Sequence, residues 1–129
     1  MKKKHINILE ARDISKKFCK DFKVPYCEIY FVDKLGSCWG LYSWLDPAHM
    51  LVLKNNPCMI GIVMHELTHH LQSHQYPINS MKESHHGYTY QLSKKKVVKW
   101  CNKNLSDKPN WRLPLQANPN NKDMKNFRL

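Results

Sequence analysis

The segment from Pro57 to about His74 constrains this chain more than any other stretch. Ile60, Ile62, Val63, Met64, Leu67 and Leu71 leave almost no polar stripe over its first half. A helix that is apolar nearly all round belongs in a core. Asn55-Asn56-Pro57 precedes it, a capping amide followed by proline at the first helical position. Tyr76-Pro77 ends it. The longest apolar run, Cys58 to Met64 with Gly61 inside it, falls far below the roughly 18–20 residues of a membrane span. The remaining elements must therefore wrap around this one helix.

The same buried helix carries His65-Glu66-Leu67-Thr68-His69, an H-E-x-x-H pattern. Positions i and i+4 share one helical face, so both imidazoles can reach a single zinc ion. Glu66 stands close enough to act on a zinc-bound water without occupying the metal. Zinc brings the pKa of such a water toward neutrality, and the carboxylate can take its proton as it attacks a carbonyl. With eight histidines and four glutamates in 129 residues, chance yields the pattern only about 0.015 times per chain of this composition. Unpaired imidazoles and a carboxylate in an apolar helix would be costly; a metal satisfies them.

Around this helix the chain reads as one α+β domain. Ala11, Ile14, Phe18 and Phe22 form one stripe of a helix from Asn7 to Lys23, with Arg12, Lys16, Lys20 and Lys23 opposite. Val24-Pro25 is expected to end it. Tyr26 to Asp33, Cys38 to about Leu45 and Met50 to Leu53 read as three strands of a small antiparallel or mixed sheet. A polar connection is expected from Tyr76-Pro77 to His85, then a helix from Gly87 to Lys103. The domain is thus placed at residues 1–103, with an irregular basic tail at 104–129 to which Trp111, Leu113 and Leu115 lend some anchoring. Cys19, Cys27, Cys38, Cys58 and Cys101 are odd in number and form no Cys-x-x-Cys pair. They read as reduced thiols of an intracellular, unsecreted chain.

A catalytic zinc site has three protein ligands and a water. The metzincin continuation would need glycine and histidine where Gln72 and Gln75 stand, which excludes that class. His85, His86, His70, His74 and Glu83 remain as candidates. His70 and His74 lie off the His65/His69 face, His70 by about 100°, and are expected to be polar helix-surface residues. Glu83 would supply a carboxylate ligand. Tyr88 and Tyr90 could offer a phenol to a developing oxyanion, although core packing suits Tyr90 better. Trp39, Tyr42 and Trp44 could line a groove, with ordinary sheet packing the simpler reading.

In His65-Glu66-Leu67-Thr68-His69, and in a later His-Gly with an aromatic three residues past the glycine (His86, Gly87, Tyr90), the chain resembles the SprT-like metalloproteases. That family includes the Spartan-type proteases of DNA–protein crosslink repair. Gly36-Ser37-Cys38-Trp39-Gly40 and the strand leading into the motif helix support the resemblance over about residues 7–103. It implies a small zincin-like fold, about three helices on a short three-stranded sheet, with His65, His69 and His86 as zinc ligands and Glu66 as the catalytic carboxylate. Tyr88 stands where a proline is common in the family, and the Cys pattern supplies no zinc ribbon.

Charge divides along the chain: residues 1–23 carry +5, residues 24–90 carry −2 and residues 91–129 carry +8. Lys16, Lys17 and Lys20, with Lys94, Lys95, Lys96, Lys99 and Lys103, flank the core without entering it. Such residues suit sequence-independent, salt-sensitive contact with DNA. Interleaved aromatics for base stacking are sparse. The expectation is a monomeric zinc endopeptidase acting on proteins associated with nucleic acid. A basic nucleic-acid-binding module with a structural zinc is the alternative, and a general intracellular peptidase a third.

Overall fold

The computed structural model describes residues 6–45, 47–54, 58–82 and 86–108, with residues 79–81 described through their backbone. Helix α1 spans Ile8–Phe22. Asn7 accepts from the Glu10 N–H at 2.8 Å while Glu10 reaches back to the Asn7 N–H, so two of the orphan donors of the first turn are satisfied reciprocally. Lys23, at φ 57°, turns the chain out of the helix one residue before Val24-Pro25. Ala11, Phe18 and Cys19 are buried, while Lys16, Lys17 and Lys20 lie exposed on the far side.

Strands β1 (Glu28–Val32), β2 (Gly40–Ser43) and β3 (His49–Leu53) form a mixed sheet in the order β1-β3-β2. Strand β3 runs parallel to β1, with Glu28 opposite His49, and antiparallel to β2, with Gly40 opposite Val52. Side chains alternate as the pleat requires: Ile29, Met50 and Val52 are fully buried, while Tyr30 and Leu41 face solvent. Glu28 anchors the start of β1. Burial alone would raise its carboxyl, but the Ile29 N–H, the Tyr26 hydroxyl and the Arg12 guanidinium outweigh that and hold it below its ordinary value.

Helix α2, Met59–Gln75, is the centre of the molecule: fourteen consecutive residues, Met59 through Gln72, are buried. It starts at Met59 with Cys58 at its cap, slightly later than expected, and Asn55-Asn56-Pro57 lie outside the described residues. Where a polar connection was expected, residues Pro77–Lys82 form a short helix, α3. Its proline sits at the first helical position, where the missing N–H is harmless.

Helix α4 spans Tyr88–Asn104 and buries Thr89, Tyr90, Ser93, Val97, Trp100 and Cys101. The Trp100 ring meets Phe18 edge-on at 5.3 Å, and its Nε1 donates to Asp21 Oδ2 at 2.8 Å, tying α4 to α1. The architecture is α+β: among the described residues, three long helices and one short one accompany a three-stranded mixed sheet. Residues 109–129, most of the expected tail, lie outside the described residues. All five cysteines are free. No helix among the described residues is long and apolar enough to cross a membrane.

Candidate metal centre

His65 and His69 stand one turn apart on α2, and His86 reaches them from the turn that opens α4. The three rings cluster with centroids 4.9, 5.0 and 5.2 Å apart. Nε2 of His65 and Nε2 of His86 face each other at 3.1 Å. One ligand nitrogen from each of the three histidines lies within 4.8 Å of the others. Nitrogens bound tetrahedrally to one zinc, each at about 2.0–2.1 Å, stand about 3.3 Å apart. The His65–His86 pair already meets that spacing, so the cluster can hold a metal ion with a small inward adjustment. His65 and His69 are buried, and His86 is half-buried.

Glu66 is 1% exposed, and its Oε2 has no hydrogen-bond partner among the described residues. Burial pushes its carboxyl up to about 8. A cation beside it would draw that value down again. The backbone of Gly40 closes over it: a Cβ there would lie 3.0 Å from Glu66 Oε2 and 2.5 Å from Ile62 Cγ2. Strand β2 therefore rests directly on the carboxylate, at a distance only glycine permits.

The other candidates separate clearly. Glu83 and His85 lie outside the described residues. His74 is exposed, as expected, with its Nδ1 3.0 Å from the His70 carbonyl. His70 corrects the sequence reading. It is fully buried, its Nε2 2.6 Å from the Pro25 carbonyl and its Nδ1 2.8 Å from the Tyr42 hydroxyl. Burial drives its imidazole down to about 4, so it stays neutral and pins α2 to both β2 and the α1–β1 connection. Tyr42 is thereby a packing and hydrogen-bonding residue, Trp39 packs against the core, and Trp44 is exposed.

Around the imidazoles lies a second set of contacts. The Tyr90 hydroxyl is 3.0 Å from His65 Nδ1, and its ring lies tilted to His65 and His69 and edge-on to His86. Burial, and then the nearby Glu66, raise the Tyr90 phenol well above its ordinary value. Gln72 Oε1 lies 3.2 Å from His69 Nδ1, and Gln72 Nε2 donates to Thr89 Oγ1 at 2.9 Å. Sequence reasoning used Gln72 only to exclude one protease class. Its place three residues after His69, hence on a neighbouring helical position, was the signal that could have found it. Comparisons with protein-family models, curated proteins and solved structures give no match for this chain.

Proposed function

We propose that this chain is a zinc-dependent endopeptidase with a small zincin-like fold, similar to the SprT-like proteases. The observation that carries the reading is the convergence of His65, His69 and His86, with the buried carboxylate of Glu66 next to His65 in the same helix. Three neutral imidazoles with no thiolate suit zinc, and three protein ligands leave the fourth corner open, as catalytic sites require. When bound there, zinc would acidify a water and polarise a carbonyl. Glu66 then accepts the proton of the attacking water and returns it to the leaving amine. Strand β2 lies at the edge of the sheet and touches Glu66 through Gly40. An extended peptide added along that edge would pass the carboxylate while pairing through main-chain hydrogen bonds.

Substrates associated with nucleic acid fit the surface. Exposed Lys16, Lys17 and Lys20 of α1 and Lys95, Lys96, Lys99 and Lys103 of α4 belong to helices joined by Trp100 and Asp21. The same lysines favour a second reading, a nucleic-acid-binding module whose zinc is structural. Glu66 discriminates between the two, because a structural site has no use for a carboxylate beside the open corner.

The test is Glu66→Gln, assayed for zinc content and for digestion of an unfolded protein substrate with and without DNA. The protease reading expects zinc retained at one per chain and cleavage reduced by at least about 100-fold. Cleavage persisting in the zinc-loaded variant would overturn the role of Glu66.

A further inference from the structure

Both imidazoles that α2 contributes to the centre have their outer nitrogens engaged, and the groups engaging them trace back to α4. We propose that Gln72, braced by Thr89, fixes His69 in the tautomer that presents an unprotonated Nε2 to the metal, and that the Tyr90 hydroxyl orients the ring of His65. Helix α4 would then set the metal affinity of a centre whose first two ligands belong to α2. The proposal rests on the metal-binding part of the reading above, and is independent of what the enzyme cleaves.

The Gln72 carboxamide is asymmetric. Its nitrogen can only donate and its oxygen can only accept. The nitrogen donates to Thr89 Oγ1 at 2.9 Å, and the oxygen faces His69 Nδ1 at 3.2 Å. Only an N–H can face that oxygen, so the proton of His69 belongs on Nδ1 and the lone pair on Nε2. The reverse amide orientation would place NH2 against Nδ1, move the ring proton to Nε2 and block coordination. Gln72 and Thr89 are 4% and 2% exposed, so water does not compete for either group. At His65 the inner nitrogen, Nε2, faces His86 at 3.1 Å, while Nδ1 meets the buried Tyr90 hydroxyl at 3.0 Å. Metal-bound histidines generally depend on such a partner at the second nitrogen. Thr89 and Tyr90 occupy the first turn of α4, immediately after the His86-Gly87 turn. One helix start therefore delivers the third ligand and both braces. Gln72 and Tyr90 are positioning residues, each acting through a histidine.

The experiment measures zinc affinity of the full chain by competition with a chromophoric chelator, for wild type, Gln72→Met, Gln72→Glu, Thr89→Val, Tyr90→Phe and His69→Ala. Gln72→Met keeps the side-chain length but removes the acceptor, and should lose about 10–100-fold in zinc affinity. Gln72→Glu restores an acceptor for the same N–H and should recover most of that loss. Thr89→Val, which leaves Gln72 in place but unbraced, should weaken binding in the same direction, as should Tyr90→Phe. Cobalt-substituted Gln72→Met should show an altered visible spectrum that Gln72→Glu returns toward wild type, a recovery that mere packing would not produce. If Gln72→Met fails to fold, Thr89→Val carries the test unchanged. Wild-type affinity in Gln72→Met and Thr89→Val, with binding lost in His69→Ala, would overturn the brace while leaving the metal centre standing. Failure of the wild-type chain to bind zinc would overturn both.

Discussion

Gly40→Ala offers the sharpest view of how the sheet bears on the carboxylate. The added methyl would lie 2.5 Å from Ile62 Cγ2 and 3.0 Å from Glu66 Oε2. Carbon pairs settle at about 3.5–4.0 Å, so β2 and α2 must part by about 1 Å. Ile62 is fully buried, and a β-branched side chain in a helix has one strongly preferred rotamer. It cannot swing aside. Overpacking of this kind costs about 1–3 kcal/mol. Taking about 2 kcal/mol, the melting temperature of a 129-residue chain should fall by about 6–10 °C. Displacing Glu66 by about 1 Å should also reduce cleavage by about 100-fold. Gly36→Ala is the matched control. Gly36 sits at φ 62° with nothing within 4 Å of a Cβ, so its substitution costs about 1–2 kcal/mol through the backbone alone. Both variants should melt earlier, but only Gly40→Ala should lose peptidase activity and keep its zinc. Thermal unfolding, zinc analysis and peptide hydrolysis read the three quantities. Full activity in Gly40→Ala, or equal loss in both variants, would refute the claim that β2 positions the carboxylate.

Other outcomes follow from the same contacts. His70 is neutral in the fold with its imidazole held down near 4, against about 6.5 in an unfolded chain. The unfolded state binds the extra proton, so its contribution is complete above about pH 6.5 and is lost as pH falls toward 4; urea titrations across that range should show the loss, and it should be absent in His70→Gln. His70→Ala also strands the Pro25 carbonyl beside a new cavity and leaves the Tyr42 hydroxyl only its Ser73 partner, and should destabilise by about 3 kcal/mol in chemical unfolding. Saturating zinc at about 100 times its Kd should stabilise the wild-type chain by about 2.7 kcal/mol, and calorimetry should find no such gain in His69→Ala. Asp21→Asn should weaken the α1–α4 tie through Trp100 without altering zinc content, since Asp21 is held below its ordinary pKa chiefly by the Trp100 indole and does not contact the centre.

Much of this arrangement was legible in the residues. The apolar stripes of α1 and the nearly all-apolar face of α2 fixed two helices to within a few residues, because burial of such surfaces dictates periodicity. The i, i+4 histidines and the His86-Gly87 pair anticipated the cluster that the fold assembles. Three other features were hidden for identifiable reasons. The six residues of α3 are too few to display a period, and a polar composition masked them. His70 looked like a surface residue because it lies off the His65/His69 face. But α2 is buried on every side, and the groups that satisfy His70 come from Pro25 and Tyr42, distant in sequence. The parallel pairing of β1 with β3, which places β3 between its neighbours, depends on how the strands stack on α2 and leaves no mark on any single strand. Gly40 likewise shows its meaning only when Ile62 and Glu66 are seen beneath it.

The most direct measurement is the zinc-to-protein ratio of the purified chain, wild type beside His86→Ala, by elemental mass spectrometry after dialysis against a weak chelator. Convergence of the three histidines predicts one zinc per wild-type chain and its loss in the variant. A wild-type chain that retains no zinc, or a His86→Ala chain that holds it as tightly as wild type, would contradict the account.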